Sequence, residues 1–79
     1  MDEILYRVAE LEVRKRGKQY LFRYDVGSIA TIMREDEISI EEARHASSGV
    51  QQALSVIDAV MERVRARGED PYKSNFDDW

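Results

Sequence analysis

The stretch SIEEARHASSGVQQALSVIDAVMERVRAR, residues 39–67, decides how this chain is read. Ile40, Ala43, Ser47, Val50, Leu54, Ile57, Met61 and Val64 recur at spacings of 3, 4, 3, 4, 3, 4 and 3 residues. That is the a/d rhythm of a helix packing along another helix. Ala46, Ala53 and Val60 form a second row that widens the apolar face. Ser39 stands three residues before Glu42, the spacing of a capping box. Glu41 and Glu42 in the first turn, and Arg63, Arg65 and Arg67 near the end, complement the helix dipole. Gly68 follows as a C′ residue and Pro71 forbids continuation. The pattern predicts one continuous helix. Within it, Ser47-Ser48-Gly49 lowers helix propensity, Gly by about 1 kcal/mol relative to Ala. Small residues here fit a close helix crossing; the competing reading is a kink.

Length turns this helix into a statement about partners. At 1.5 Å per residue it would run about 43 Å, whereas a globule of this chain length has a diameter of roughly 30 Å. Such a helix overhangs its own domain and leaves Ile57, Val60, Met61 and Val64 wet. The simplest cover is the same helix of a second, antiparallel chain. The alternative is that the rest of the chain covers the whole stripe.

Working outward, residues 8–26 read as a β-hairpin. Ala9, Leu11 and Val13 alternate with Glu10, Glu12 and Arg14, and Tyr20, Phe22, Tyr24 and Val26 alternate with Leu21, Arg23 and Asp25. Period-2 alternation with aromatic and β-branched residues marks half-buried strands. A competing first helix over residues 3–16 would use Ile4, Val8 and Leu11. Residues 3–8 stay open between a lead-in helix and the start of the first strand. Gly27 breaks the strand, and Ser28 would cap a short helix over residues 29–35 with Ile29, Ile32 and Met33 on its apolar side. The expected fold is α+β: an N-terminal hairpin, a short helix and one long helix, dimerised through the long helix. One domain spans residues 1–68, with a polar and aromatic tail over residues 69–79.

Composition narrows the function classes. A chain of 79 residues buries only about 60% of its unfolded surface, and with no Cys and one His it has neither disulfides nor a multi-His metal site to add stability. A formal net charge of −4 gives no global field toward nucleic acid. No apolar run approaches the roughly 20 residues of a membrane span. The acidic opening Met1-Asp2-Glu3 is unlike a signal peptide. The absence of Cys fits a reducing compartment, so a cytoplasmic location is expected.

Few motifs suggest chemistry. Arg14, Lys15, Arg16 and Lys18 are candidates for anion or nucleic-acid contact, set against a solvated hairpin tip whose cations discourage edge aggregation. The aromatics Tyr20, Phe22 and Tyr24 would suit base stacking, but at period 2 they suit a core. His45 lies one turn after Glu41, an exposed helical pair more than a catalytic base. No phosphate loop or nucleophile constellation is present, so neither an enzyme nor a cofactor is expected. In the tail, Tyr72, Phe76, Asp77, Asp78 and Trp79 place aromatics among carboxylates, a composition for docking on a partner.

Residues 29–43 followed by Gly49-Val50-Gln51 resemble the helical hairpin of the exodeoxyribonuclease VII small subunit. That resemblance implies an all-helical fold, which the strand-like residues 8–26 do not fit, so the chain is not assigned to that family. Residues 28–57 fit a helix-turn-helix only loosely, since Glu41 and Glu42 at the start of its second helix would face phosphates with the wrong sign; the alternative reading is a dimeric nucleic-acid-binding transcriptional regulator that uses the basic cluster at the hairpin tip. The main expectation is a small non-enzymatic interaction protein, a homodimeric regulator, adaptor or phage-type inhibitor. Its partners would be itself and another protein, with no membrane and no small-molecule substrate. Its contact surfaces would be the helix stripe and the tail.

Overall fold

The computed structural model describes residues 2–27 and 29–75. Four strands, β1 (Asp2–Val8), β2 (Leu11–Arg16), β3 (Gln19–Asp25) and β4 (Met33–Ile38), form one antiparallel sheet in the order β1-β2-β3-β4. Two helices follow, α1 (Ile40–Ala46) and α2 (Val50–Ala66), and both lie on one face of the sheet.

The hairpin expected over residues 8–26 is present as β2 and β3, with Val13 opposite Phe22 and Arg14 opposite Leu21. Gly17 turns the chain at φ 60°, a conformation open to glycine without a Cβ penalty. Two further strands flank this hairpin. Residues 3–8, left open between helix and strand, belong to β1, and a bulge between Ile4 and Tyr6 shifts its register on β2.

The short helix over residues 29–35 is corrected: its second half is β4, and its first half is loop. The capping role read for Ser28 lies outside the described residues. Asp25 organises the loop, its Oδ1 accepting from the N–H of Gly27 at 2.8 Å and of Ile32 at 3.0 Å. Val26 N–H closes it onto the Ile32 carbonyl at 2.8 Å. Gly27 is obligatory, because a Cβ there would sit 1.7 Å from the carbonyl oxygen of Ala30. This loop and β4 also remove the first half of the helical hairpin expected by the resemblance above.

The long helix is corrected too. Its N-terminal capping box is there, Glu42 N–H to Ser39 Oγ at 3.1 Å and Ser39 N–H to Glu42 Oε1 at 2.9 Å. So is the C-terminal glycine: Gly68 at φ 84°, with Gly68 N–H on Arg65 O at 3.0 Å and Glu69 N–H on Val64 O at 3.2 Å, a Schellman end. Between them the helix ends at Ser47, where the Ser48 hydroxyl donates to the His45 carbonyl at 2.6 Å, and restarts after Gly49. The chain reverses there, and Arg63 of α2 returns to Glu42 of α1 at 2.6 Å.

That reversal abolishes the overhang. The 17 residues of α2 run about 26 Å, the same as the 26 × 25 × 24 Å body. The core forms where Ala43, Ala46, Ala53, Val56, Val60 and Val64 meet Leu11, Val13, Phe22, Tyr24 and Ile38. Phe22 and Tyr24 pack with ring centroids 5.4 Å apart. The expected second row, Ala46, Ala53 and Val60, is the buried one. Val64 is buried as well, and Ile57 and Met61 pack partly against the core, so the overhang argument for a second chain does not hold.

The opposite sheet face carries charge in place of a second helix layer. An ion-pair ladder crosses all four strands: Arg7 to Glu12, Glu12 to Arg14, Arg14 to Asp2, Asp2 to Arg16, Arg16 to Glu35, and Glu35 to Arg23. Beneath these long side chains Leu21 and Met33 are buried. Hydrogen bonds from Arg16, opposed by burial and helped by Arg14, hold the Asp2 carboxyl well below the usual range. Burial works against the charge of Glu12, but Arg7 and Arg14 overcome it and lower its pKa.

Candidate protein-interaction surface

The surface that calls for a role lies where β1 and the β1–β2 turn meet the helical hairpin. The face read from the heptad stripe splits in the structure. Ala43 and Val64 are buried, Ser47, Ile57 and Met61 are half-buried, and Ile40, Val50 and Leu54 are exposed at 39%, 44% and 46%. Leu5 on β1 adds 40% exposure. Single exposed apolar residues are ordinary on any surface; what matters is that these border grooves.

Two grooves lie between the sheet and the helices at different points along β1. Val8, Leu11, Tyr24 and Asp25 from the sheet and Val50, Leu54 and Ile57 from α2 line a groove of about 220 Å³ whose exposed surface is mostly apolar. Ala9 and Glu10, the two-residue turn between β1 and β2, form its rim. Leu5 and Tyr20 from the sheet and Ile40, Ala43, Arg44 and Ser47 from α1 line a second groove of about 280 Å³. Its floor is made of small side chains, Ala43 and Ser47. Ala9 holds φ 51°, a left-handed conformation unusual for a residue with a Cβ. The two-residue turn between Val8 and Leu11 calls for such a φ at its first position.

The remaining residues read as sites are placed as follows. The basic cluster is divided by strand alternation. Arg14 and Arg16 lie on the ladder face, each engaged by carboxylates. Lys15 lies on the other face, its ammonium 5.8 Å from the Tyr20 ring centre. Lys18 sits in the turn after Gly17. The structure therefore does not bring the four together as one patch. Tyr20, Phe22 and Tyr24 face the helices, with Phe22 and Tyr24 in the core. His45 is exposed near the end of α1. Among the described residues no three His, Cys, Asp or Glu side chains converge where a metal ion could be held. No helix among them is long and apolar enough to cross a membrane.

Of the tail, Tyr72 is exposed; Phe76, Asp77, Asp78 and Trp79 lie outside the described residues. The tail segment before them packs on the sheet. Pro71 is buried, and Arg34 donates from Nη1 to the carbonyls of Asp70 at 3.3 Å and Lys73 at 2.6 Å. The Asn75 side chain bonds both backbone groups of Glu35, its Oδ1 accepting at 2.8 Å and its Nδ2 donating at 2.6 Å. It thereby occupies part of the β4 edge. Arg34 itself is buried and paired with Asp36, whose Oδ2 also takes the Tyr24 hydroxyl at 2.5 Å. Burial, with Asp36 adding to it, raises the Tyr24 hydroxyl well above its usual pKa. Among the described residues no buried side-chain polar atom lacks a partner.

Sequence reading missed Leu5, Val8, Ala9 and Glu10 as surface-forming residues. Three consecutive apolar residues, Ile4-Leu5-Tyr6, were the available signal: in a strand such a run cannot place all its members on one face.

Comparison with known proteins adds no relative: no protein-family model, no curated protein and no solved structure matches this chain.

Proposed function

We propose that this chain is a small non-enzymatic interaction module of the cytoplasm, a regulator, adaptor or inhibitor that acts by occupying a protein surface. The carrying observation is the pair of apolar grooves beside β1, with Val50 and Leu54 left exposed between sheet and solvent. Apolar side chains ordered by a rigid hairpin of helices need little rearrangement to bind, and that lowers the entropic cost of association. Regulation of nucleic acid through Arg14, Lys15, Arg16 and Lys18 has weaker support, because strand alternation sends these cations to different faces and carboxylates already engage the two arginines.

Affinity capture with the wild type and with Val50→Glu/Leu54→Glu tests the reading, with circular dichroism to establish that both fold alike. Proteins retained by the wild type and lost by the variant, a second copy of this chain among them, support it. Identical capture profiles count against it.

A further inference from the structure

The two grooves differ in ways that match. One is bordered by a ridge, Val50 and Leu54, with Glu10 beside it. The other is a trough floored by Ala43 and Ser47, with Arg44 beside it. Ridge and trough, acid and base, are on the same chain and meet β1 at different points, Val8 in the first groove and Leu5 in the second. A surface carrying both halves of a complementary pair is what a two-fold interface requires, since each half then meets its counterpart twice.

Arg44 strengthens the match. Of the nine arginines, Arg7, Arg14, Arg16, Arg23, Arg34, Arg63, Arg65 and Arg67 each meet a carboxylate. Arg44 is the exception among the described residues, and Glu10 is one of several described carboxylates, with Glu3, Glu41 and Asp58, that have no ion-pair partner among them. In a chain that otherwise pairs its guanidiniums so thoroughly, an exposed arginine beside an apolar trough is available to a carboxylate from outside the chain.

We infer that the occupant of this surface is a second copy of the chain, docked about a two-fold axis so that the Val50–Leu54 ridge of each copy enters the Ala43–Ser47 trough of the other and Glu10 of each faces Arg44 of its mate. This rests on the interaction reading above and specifies its partner and register. Burial of the two ridges supplies the affinity. The two Glu10–Arg44 contacts at the rim fix the orientation.

Charge exchange tests the register, read by sedimentation velocity across a concentration series. Glu10→Arg alone and Arg44→Glu alone each bring like charges together at both rims and weaken the dimer about tenfold or more. Glu10→Arg/Arg44→Glu restores it, because the pair is exchanged without being lost. That pattern, together with a monomeric Leu54→Glu, establishes the inference. A dimer that Leu54→Glu dissociates but single reversals do not would overturn this register and leave the interaction face standing. A dimer indifferent to Leu54→Glu would overturn both. A wild type that stays monomeric throughout would overturn the second copy as occupant, leaving the face to the capture comparison.

Discussion

Glu42 and Arg63 meet side by side, Arg63 Nη1 to Glu42 Oε2 at 2.6 Å and Nη2 to Oε1 at 3.1 Å, although 21 residues separate them. In one continuous helix that separation would hold them about 32 Å apart. Their contact therefore requires the reversal at Ser47-Ser48-Gly49, and the bidentate pair fastens the two helices at the end away from it. A double-mutant cycle with Glu42→Gln and Arg63→Gln should show a coupling of about 0.5–1 kcal/mol, within the range of partly exposed pairs. Additive effects would mean that the helices do not pair this way.

The backbone offers two substitutions of opposite sign. Ala9→Gly relieves a left-handed φ of 51° and should stabilise the protein by about 0.5–1 kcal/mol in urea denaturation. Gly27→Ala would drive a Cβ to within 1.7 Å of the Ala30 carbonyl and should cost about 2–3 kcal/mol. A neutral Gly27→Ala would mean that the loop over residues 26–32 is built otherwise.

Arg34 links the tail to the sheet, and its loss has a local signature. Arg34→Leu leaves Asp36 buried without its guanidinium and frees the carbonyls of Asp70 and Lys73. About 3 kcal/mol of stability should be lost, as when one partner of a buried pair is removed. Amide hydrogen exchange should also accelerate over residues 69–75 beyond what the global loss explains. Uniform acceleration throughout the chain would remove the tail-anchoring role.

Acid should weaken the fold through the carboxylates that arginines hold. Hydrogen bonds from Arg63, opposed by burial, lower the pKa of Glu42, and Asp2 and Glu12 are lowered by their own arginines. In each case the unfolded chain takes up a proton at a higher pH than the folded one. Their contribution is therefore fully present above the ordinary carboxylate values of 3.8 for Asp and 4.5 for Glu, and it fades as pH falls through the lowered folded values. The urea midpoint should drop on acidification below those values, and the drop should be shallower for Asp2→Asn and for Glu42→Gln. An acid limb unchanged by either substitution would contradict the ladder and the helix pair.

Much of this architecture was legible, in unequal parts. The β2–β3 hairpin shows because Val13, Phe22 and Tyr24 alternate with polar residues on a half-buried sheet. The capping box at Ser39 and the Gly68 end show because caps are local. β1 hides behind its bulge, which shifts the phase of alternation at Leu5. β4 hides because Arg34, Glu35, Asp36 and Glu37 are charged in sequence. One face of that strand joins the ladder and the other buries Arg34 and Asp36 beneath the tail, so hydrophobic periodicity has nothing to register. The heptad arithmetic runs unbroken through Ser47-Ser48-Gly49, yet the residues there end one helix and start another. Their low helix propensity was the truer signal. Of the proposed interaction surface, the stripe supplied Ile40, Val50 and Leu54, while the sheet side depends on how β1 meets the helices, a tertiary relation absent from local pattern.

The most direct test of the association surface is a dilution series of ¹H–¹⁵N correlation spectra on the wild-type chain. The account predicts concentration-dependent shifts that map to Leu5, the turn from Val8 to Leu11, Ile40, Arg44, Ser47 and the exposed residues Val50 and Leu54, leaving the ladder face and the β4 edge unmoved. Spectra independent of concentration, or shifts gathered on Arg14, Arg16 and Arg23 or along β4, would contradict it.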